Sequence, residues 1–393
     1  MDTKEELSKP QPEAKYPSFS LIFETENLLS VELENIFRSL ASLNSQDISL
    51  TQANEFLIID SGSASADVIA QICSMYPWVS VKQAPGIRYY EAKMMGAAIA
   101  TGEIIIYCDS DCVYVSSWLR NILSTFSQNP DIHIVAGETS TPVRNIYELA
   151  IALHYFFPRF TNQENVYESD FYFLNNVAFR RDFLLNHPIP TGLPLYRGNC
   201  TLHAYTLSHV QSSKIWKHPQ SKSTHEPPTS SFSFWRYLLM GRDFVLREHI
   251  KSQLAEQSGS SGYLVISQAY VTSGKGFSPY GENKVYPEIQ FQPQTQKNQQ
   301  SDRTDHSQFP MALSLTPYQK LRSTLSAILR FRPFQRGKII PVLQDQPSQL
   351  LLIPFAMPIM LWFELLYTVG KIITYWQPDW ILKRYSQVEG ELN

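Results

Sequence analysis

Asp109 and Asp111, separated only by Ser110, follow directly on the apolar run Ile104-Ile105-Ile106-Tyr107 and Cys108. A buried strand that ends in two carboxylates one residue apart presents paired hard oxygen ligands at the carboxyl edge of a sheet, where open α/β folds bind ligands. Mg²⁺ or Mn²⁺ suits such a pair, because these cations prefer carboxylate oxygens, keep several waters and take other ligands from substrate phosphates. Taken alone, the tripeptide is more often a solvated turn after a strand. Its meaning rests on the elements around it.

From Phe19 to about Gly137, short apolar runs alternate with segments of helical period, which reads as successive β-α units around a parallel sheet. The pattern predicts strands over 18–23, 55–60, 79–83, 103–108 and 133–136, and helices over 30–43, 66–75, 90–100 and 116–127. Ser63-Ala64-Ser65 supplies cap material for the second helix. The fold class expected is therefore α/β, a Rossmann-like, doubly wound, mostly parallel sheet. Right-handed crossovers would bring the strand ends near Phe23, Asp60 and Asp109 to one edge, where their loops can share a nucleotide pocket. A further strand-like run over 171–179 precedes Arg180-Arg181-Asp182 and continues the same domain.

With 393 residues, 43% hydrophobic and 13% aromatic, the chain can bury a full core as one large domain or two smaller ones. A net charge of −3 gives no global electrostatic case for nucleic acid as a partner. Cys73, Cys108, Cys112 and Cys200 form no CxxC pair and no zinc-like spacing, so a reducing compartment is expected, with Cys108 and Cys112 as packing groups. The polar N-terminal stretch resembles no signal peptide, which places the catalytic domain on the cytoplasmic side.

Four segments are expected: a disordered N-terminus over 1–16, a catalytic domain over 17–250, a low-complexity linker or excursion over 251–310, and a membrane-associated region over 311–393. In the last, Lys320, Arg322, Arg330, Arg332 and Arg336 are interleaved with Leu321, Leu325, Ile328, Leu329 and Phe331, like a basic amphipathic surface segment. Residues 350–369 are apolar except for Glu364, and about 20 helical residues at about 1.5 Å each just cross a hydrocarbon core of about 30 Å. Pro354, Pro358 and Glu364 speak against a simple span, since a lone carboxylate at depth is costly unless paired or protonated. A spanning helix, an in-plane helix and a buried hairpin over the sheet all stay open.

The order of these features resembles the family 2 glycosyltransferases, and the resemblance covers about Pro17 to Asp243. It becomes specific in three places: Phe56-Leu57-Ile58-Ile59-Asp60-Ser61-Gly62-Ser63; Tyr90-Glu91-Ala92-Lys93 through Ala100-Thr101-Gly102-Glu103 to Asp109-Ser110-Asp111; and Asn176-Val177-Ala178-Phe179-Arg180-Arg181. The resemblance implies a GT-A fold and transfer of a sugar from a UDP- or GDP-sugar donor to a glycan, lipid-linked or polysaccharide acceptor. Asp111 would ligate a Mg or Mn cation bridging the diphosphate, Asp109 would contact ribose or a metal-bound water, and Asp60 would read the nucleotide. Asn176 would border the sugar and acceptor, and His225 would complete the metal shell as a late histidine. Lys93 could reach the diphosphate or be an ordinary solvated lysine. Glu24-Thr25-Glu26-Asn27 stands where the family shows a Pro-Thr-Tyr-Asn-like turn, leaving Thr25 and Glu26 as base or ribose contacts.

The chain departs from the family at the proton acceptor. Inverting members carry an acidic pair downstream of the third motif, whereas here the region reads Tyr196-Arg197-Gly198-Asn199-Cys200-Thr201-Leu202-His203. His203 and Asp170 are the substitutes expected from the sequence. The same gap supports a competing reading, a noncatalytic nucleotide- or glycan-binding relative. A nucleotidyltransferase ranks last, because no Gly-rich phosphate loop with a following Lys lies near the N-terminus.

Overall fold

The computed structural model describes residues 16–26, 33–161, 163–258, 313, 315–329 and 347–392. The expected N-terminal disorder (apart from Tyr16), the linker beyond Ser258, and Arg330, Arg332 and Arg336 lie outside the described residues. Nine strands form one sheet: β1 (Phe19–Glu24), β2 (Glu55–Asp60), β3 (Val79–Gln83), β4 (Ile104–Cys108), β5 (Cys112–Tyr114), β6 (Ile134–Ser140), β7 (Tyr167–Ser169), β8 (Asn176–Arg180) and β9 (Ile215–His225). Their order is β3-β2-β1-β4-β8-β6-β9-β5, with β7 paired to β9.

The parallel half, β3-β2-β1-β4, is the β-α repeat expected from the alternating pattern. It is wound by α1 (Leu33–Asn44), α2 (Ala66–Met75) and α3 (Tyr89–Ile99). Strands buried on both faces require apolar residues at every position, which is why β4 reads Ile-Ile-Ile-Tyr-Cys without alternation. The strand period of two then sorts them: Ile104 and Ile106 face Ile36, Leu40 and the helix α4 (Trp118–Gln128), while Ile105 and Tyr107 face Ala92 and Ala97 of α3. Each such isoleucine stabilises the fold by roughly 1.5–3 kcal/mol relative to exposure.

The other half is mixed, because β8 enters antiparallel between β4 and β6, and β9 runs parallel to β6 but antiparallel to β5 and β7. Of the run expected over 171–179, only its last four residues join the sheet, as the start of β8. β9 has the composition of a polar loop, Ile-Trp-Lys-His-Pro-Gln-Ser-Lys-Ser-Thr-His, yet buries Ile215, Lys217, Pro219, Ser221 and Ser223, every second position.

A helical layer covers the carboxyl edge. It consists of α5 (Ile146–His154), α8 (Ser230–Ser258), α10 (Ile353–Trp376) and α11 (Trp380–Leu392); α6 (Arg181–Asn186), α7 (Asn199–Tyr205) and α9 (Pro317–Leu329) complete the helices used below. α8 continues through Ser258, so the beginning of the expected linker is helical. α10 packs along α8 so closely that a Cβ on Gly241 would lie 2.1 Å from the Tyr367 carbonyl oxygen, and one on Gly370 would lie 2.3 Å from that of Leu238. Tyr237 and Phe363 stack across the same contact with ring centroids 4.2 Å apart.

α10 is apolar on both sides, burying Ala356, Met360, Phe363 and Leu366 in the core it shares with α5 and α8. Its polar residues Glu364, Thr368, Lys371 and Thr374 are buried against the protein, whereas Phe355, Leu361, Trp362, Leu365 and Trp376 are exposed. The stretch Ser348–Trp376 is long and apolar enough to cross a membrane by length and composition.

Candidate active site

The end of β4 is fixed by one buried ion pair. Lys93 Nζ lies 2.6 Å from Asp109 Oδ1 and donates a second bond, of 2.5 Å, to the Cys108 carbonyl oxygen. Tyr89 Oη donates to Asp109 Oδ2 at 2.7 Å, and Tyr114 Oη receives the Asp109 amide at 2.9 Å. One helical turn separates Tyr89 from Lys93, which sets both on the face of α3 that meets β4. Burial acts to lower the Lys93 pKa, but Asp109 and Glu24 outweigh it and hold the ammonium above its ordinary range. Burial pushes the neighbouring Glu24 carboxyl up to about 8. Lys93 is thus neither a solvated lysine nor aimed at open solvent; it orients Asp109.

Asp111 is brought to His225 by backbone register. β5 and β9 pair with Cys112 opposite His225, so the residue before Cys112 meets the imidazole, and Asp111 Oδ2 lies 3.1 Å from His225 Nε2. Burial works against both charges, but each outweighs it for the other: the Asp111 carboxyl is held below, and the His225 imidazole above, its usual range. His225 Nδ1 lies 2.6 Å from the Glu226 carbonyl oxygen, a contact in which only the ring nitrogen can donate. Phe157 packs on the ring at 4.6 Å between centroids.

These donors fit a divalent cation. An Nδ1–H committed to a backbone carbonyl leaves Nε2 as the ligating atom, the arrangement that fixes the tautomer of metal-bound histidines. Among the described residues no group of three or more His, Cys, Asp or Glu side chains gathers at metal distance, so Asp111 and His225 are the pair that would hold one here. A cation held by one or two side chains completes its shell from water and phosphate oxygens.

At the edge formed by β1 and β2, Thr25 Oγ1 donates to Asp60 Oδ1 at 2.7 Å and accepts from the Ser61 amide at 2.9 Å. Gly62, at φ +83°, turns its amide back onto Asp60 Oδ1 at 3.0 Å. Glu26 pairs with Arg197 Nη2 at 3.0 Å. Thr25 and Asp60 therefore form one cluster at the sheet edge, while Glu26 is tied to the 196–198 loop, and none of the three lines the main cavity.

That cavity has a volume of about 1010 Å³ and is lined at the β4 end by Tyr89, Asp109, Asp111 and His225. Glu226 holds its rim, receiving Arg38 at 3.1 Å and Arg144 beside it. The opposite wall comes from α8 and α10, with Arg236, Asp243, Arg247, Glu364 and Tyr367. Glu364 is not a lone carboxylate, since His154 Nε2 of α5 lies 3.0 Å from it.

Besides Thr25, Glu26, Asp60 and Lys93, three further expected site residues do not line the cavity. His203 Nε2 can only donate to the His187 carbonyl oxygen at 2.8 Å, so Nδ1 accepts from Tyr172 Oη at 2.6 Å and no nitrogen is left for a proton. Burial pushes that imidazole down to about 4. Asp170 is exposed at the end of β7. Asn176 is buried and spends its amide on the sheet: Trp118 donates to its oxygen at 2.8 Å, and its nitrogen donates to Glu138 O, Ser221 O and Ser223 Oγ. The residue before it, Asn175, lines the cavity instead. The structure thus places His203, Asp170 and Asn176 away from the cavity where the sequence expected them.

The sequence reading missed Asp243. It reaches from α8 into the very loop where no carboxylate was found, accepting from the Arg197 amide at 2.8 Å and the Tyr196 amide at 3.2 Å, with Arg242 at 2.9 Å. Burial raises its pKa against the pull of Arg242. An Arg-Asp dipeptide inside an otherwise aromatic helix was the available signal, but only the fold brings it 47 residues back to Tyr196.

Residues 31–186 match the family model described as glycosyl transferase family 2. No curated protein sequence matches the chain. Among solved structures, GalNAc-T7 with UDP, GalNAc and Mn²⁺ aligns at 16% identity over 55% of this chain and 45% of that one, with a TM-score of 0.44. TarS 1-349 of S. aureus aligns at 18% identity over 58% and 65%, with a TM-score of 0.42. The mannosyltransferase PcManGT of Pyrobaculum calidifontis, in complex with GDP-Man and Mn²⁺, aligns at 13% identity over 91% and 87%, with a TM-score of 0.46. The chain thus spans less than half the length of the first of these.

Proposed function

We propose that this chain, whose residues 31–186 match the glycosyl transferase family 2 model, moves a sugar from a UDP- or GDP-sugar to a glycan or lipid-linked acceptor at a membrane surface. The observation that carries the proposal is the Asp111–His225 pair, set by strand register at the mouth of the cavity where β4 ends. Asp111 and His225 would hold a Mg or Mn cation, whose chemistry is to neutralise the charge growing on a departing diphosphate. Lys93 and Tyr89 hold Asp109 in one orientation for a ribose or water contact. Thr25, Glu26 and Asp60 are assigned to the nucleotide.

Asp243 is assigned as proton acceptor. As the bond between the anomeric carbon and the diphosphate oxygen breaks, the acceptor oxygen bonds to that carbon and its proton passes to the Asp243 carboxylate. Two observations support the assignment: Asp243 lines the cavity, and burial raises its pKa towards the range of a useful base. A carboxylate that reaches the 196–197 loop from α8 favours an enzyme over a noncatalytic relative.

The exposed apolar face of α10 supports the membrane. A helix that buries its polar stripe and exposes Phe355, Leu361, Trp362 and Leu365 needs an apolar phase outside, and in-plane insertion supplies one. Tyr318, Leu321, Leu325, Ile328 and Leu329 of α9 are exposed as well, and Lys320, Arg322, Lys383 and Arg384 provide charges for anionic headgroups. Four free thiols agree with a catalytic domain on the cytoplasmic side. The division into a catalytic domain over 17–250, an excursion over 251–310 and a membrane region over 311–393 belongs to the same proposal.

The test is turnover. Protein bound to vesicles is incubated with UDP- and GDP-sugars and Mn²⁺, and free nucleotide and transferred or hydrolysed sugar are quantified. Metal-dependent release above the level of Asp111→Ala is expected; saturable nucleotide binding with no release would overturn the enzymatic reading.

A further inference from the structure

Five arginines line the cavity, and they are not equally neutralised. Arg38 and Arg144 pair with Glu226, and Arg197 with Glu26. Arg236 and Arg247 form no ion pair among the described residues, although both belong to α8 and face the same cavity. They are eleven residues apart, about three helical turns, and so share one face.

Both converge on the loop Tyr196-Arg197-Gly198. The Arg236 guanidinium lies 5.7 Å from the Tyr196 ring centroid and donates through Nε to Tyr155 Oη at 2.7 Å. Among the described residues its two terminal nitrogens make no hydrogen bond, and the residue lines the cavity. Arg247 lies against Gly198 so closely that a Cβ there would meet its Nη1 at 2.6 Å; Gly198, at φ +110°, accommodates both the contact and the turn. Arg197 joins them, 4.6 Å from the same Tyr196 ring centroid. The nearby carboxylate, Asp243, is already engaged by Arg242 and two backbone amides. A cluster of three guanidinium groups, two of them without a carboxylate partner among the described residues, is built for an anion that arrives from outside, and phosphate is the anion their fork matches.

We propose that Arg236, Arg247 and Arg197 form a phosphate subsite for the acceptor, and that the acceptor is an amphipathic phosphate with an apolar chain. The inference rests on the glycosyltransferase reading of the same cavity. It assigns the donor diphosphate to the Asp111–His225 end and the acceptor phosphate to the end walled by α8 and α10. The second wall decides for a chain-bearing phosphate over a free one: the helix that closes this end, through Glu364 and Tyr367, is the one whose other side is exposed and apolar.

The experiment measures equilibrium binding of three probes to the full chain: dodecyl phosphate below its micelle-forming concentration, dodecyl glucoside with the same tail and a neutral head, and inorganic phosphate. Dodecyl phosphate is expected to bind at least about tenfold more tightly than either of the others, the worth of one charge-assisted hydrogen bond or more. Arg247→Gln, which removes a side chain with no ion pair, is expected to lose roughly that factor, and Arg236→Gln/Arg247→Gln more. Mn²⁺-dependent UDP and GDP binding by the same variants should stay within about twofold of the parent. Equal affinity for dodecyl phosphate and dodecyl glucoside would overturn the subsite, and equal affinity for inorganic phosphate would overturn the chain-bearing acceptor. A parallel loss of UDP or GDP binding would reassign the arginines to the donor. Failure of the parent to bind either nucleotide with Mn²⁺ would instead strike the glycosyltransferase reading, whatever the dodecyl phosphate result.

Discussion

Lys93 and Asp109 meet at 2.6 Å with their side chains 0% and 5% exposed, so the carboxylate that ends β4 is charged, buried and held by a cation one element away. Two buried charges persist only when each is compensated, and here Tyr89 and the Cys108 carbonyl complete the set. The pair orients the Asp-Ser-Asp edge, and it also makes that edge vulnerable.

Replacing Lys93 with Met leaves Asp109 buried without its cation. The expected loss is about 3–5 kcal/mol of unfolding free energy, the range for breaking a buried pair. Urea titration checks it. The double variant Lys93→Met/Asp109→Asn should recover part of the loss, because no uncompensated charge then remains.

His203 sets an acid limit on stability. Burial depresses its imidazole to about 4 from an ordinary 6.5, so between those values the unfolded chain binds a proton that the folded chain refuses. The associated stability is complete above 6.5 and is lost as pH falls towards 4, to the extent of on the order of 3 kcal/mol. His203→Gln should therefore lose less stability than the parent between about pH 7 and about pH 5, measured by chemical unfolding.

Asp243→Asn tests the proton acceptor. The amide oxygen can still accept a backbone hydrogen bond from the 196–197 loop, so nucleotide affinity should change by no more than about twofold. The turnover number should fall by about 10²-fold or more, the usual contribution of general-base catalysis. Unchanged turnover would remove Asp243 from the chemistry.

Leu361→Asp/Leu365→Asp places two charges on the exposed face of α10, away from the contacts with α8 and α5. Flotation with vesicles containing anionic phospholipid should drop by at least about tenfold in partition coefficient, since each charge costs several kcal/mol in hydrocarbon. The midpoint of thermal unfolding without lipid should barely move.

The parallel half of the fold was legible because continuous apolar strands and helix-period runs leave little choice of structure. β2, β3 and α2 fall on the residues expected for them, and β4 starts one residue later. β9 was harder to read, since its buried face carries Lys217, Ser221 and Ser223, residues that look like a loop until neighbouring strands satisfy them. Asp111 and His225 were singled out separately by residue type, yet 114 positions apart, and β5–β9 register is what joins them. Asp243 stayed hidden for a related reason: α8 delivers one carboxylate to a loop 46 residues earlier in the chain. His203 and Asn176 show the converse, chemically able side chains whose hydrogen bonds are consumed by the core.

The central claim concerns a cation held between Asp111 and His225 with a nucleoside diphosphate. Calorimetric titration of UDP and GDP, with and without Mn²⁺, into the parent, Asp111→Ala and His225→Ala tests it most directly. Metal-dependent binding in the parent, abolished in Asp111→Ala and weakened about tenfold or more in His225→Ala with unfolding midpoints preserved, is the predicted result. Nucleotide binding that is indifferent to Mn²⁺, or equally tight in all three proteins, would contradict the account.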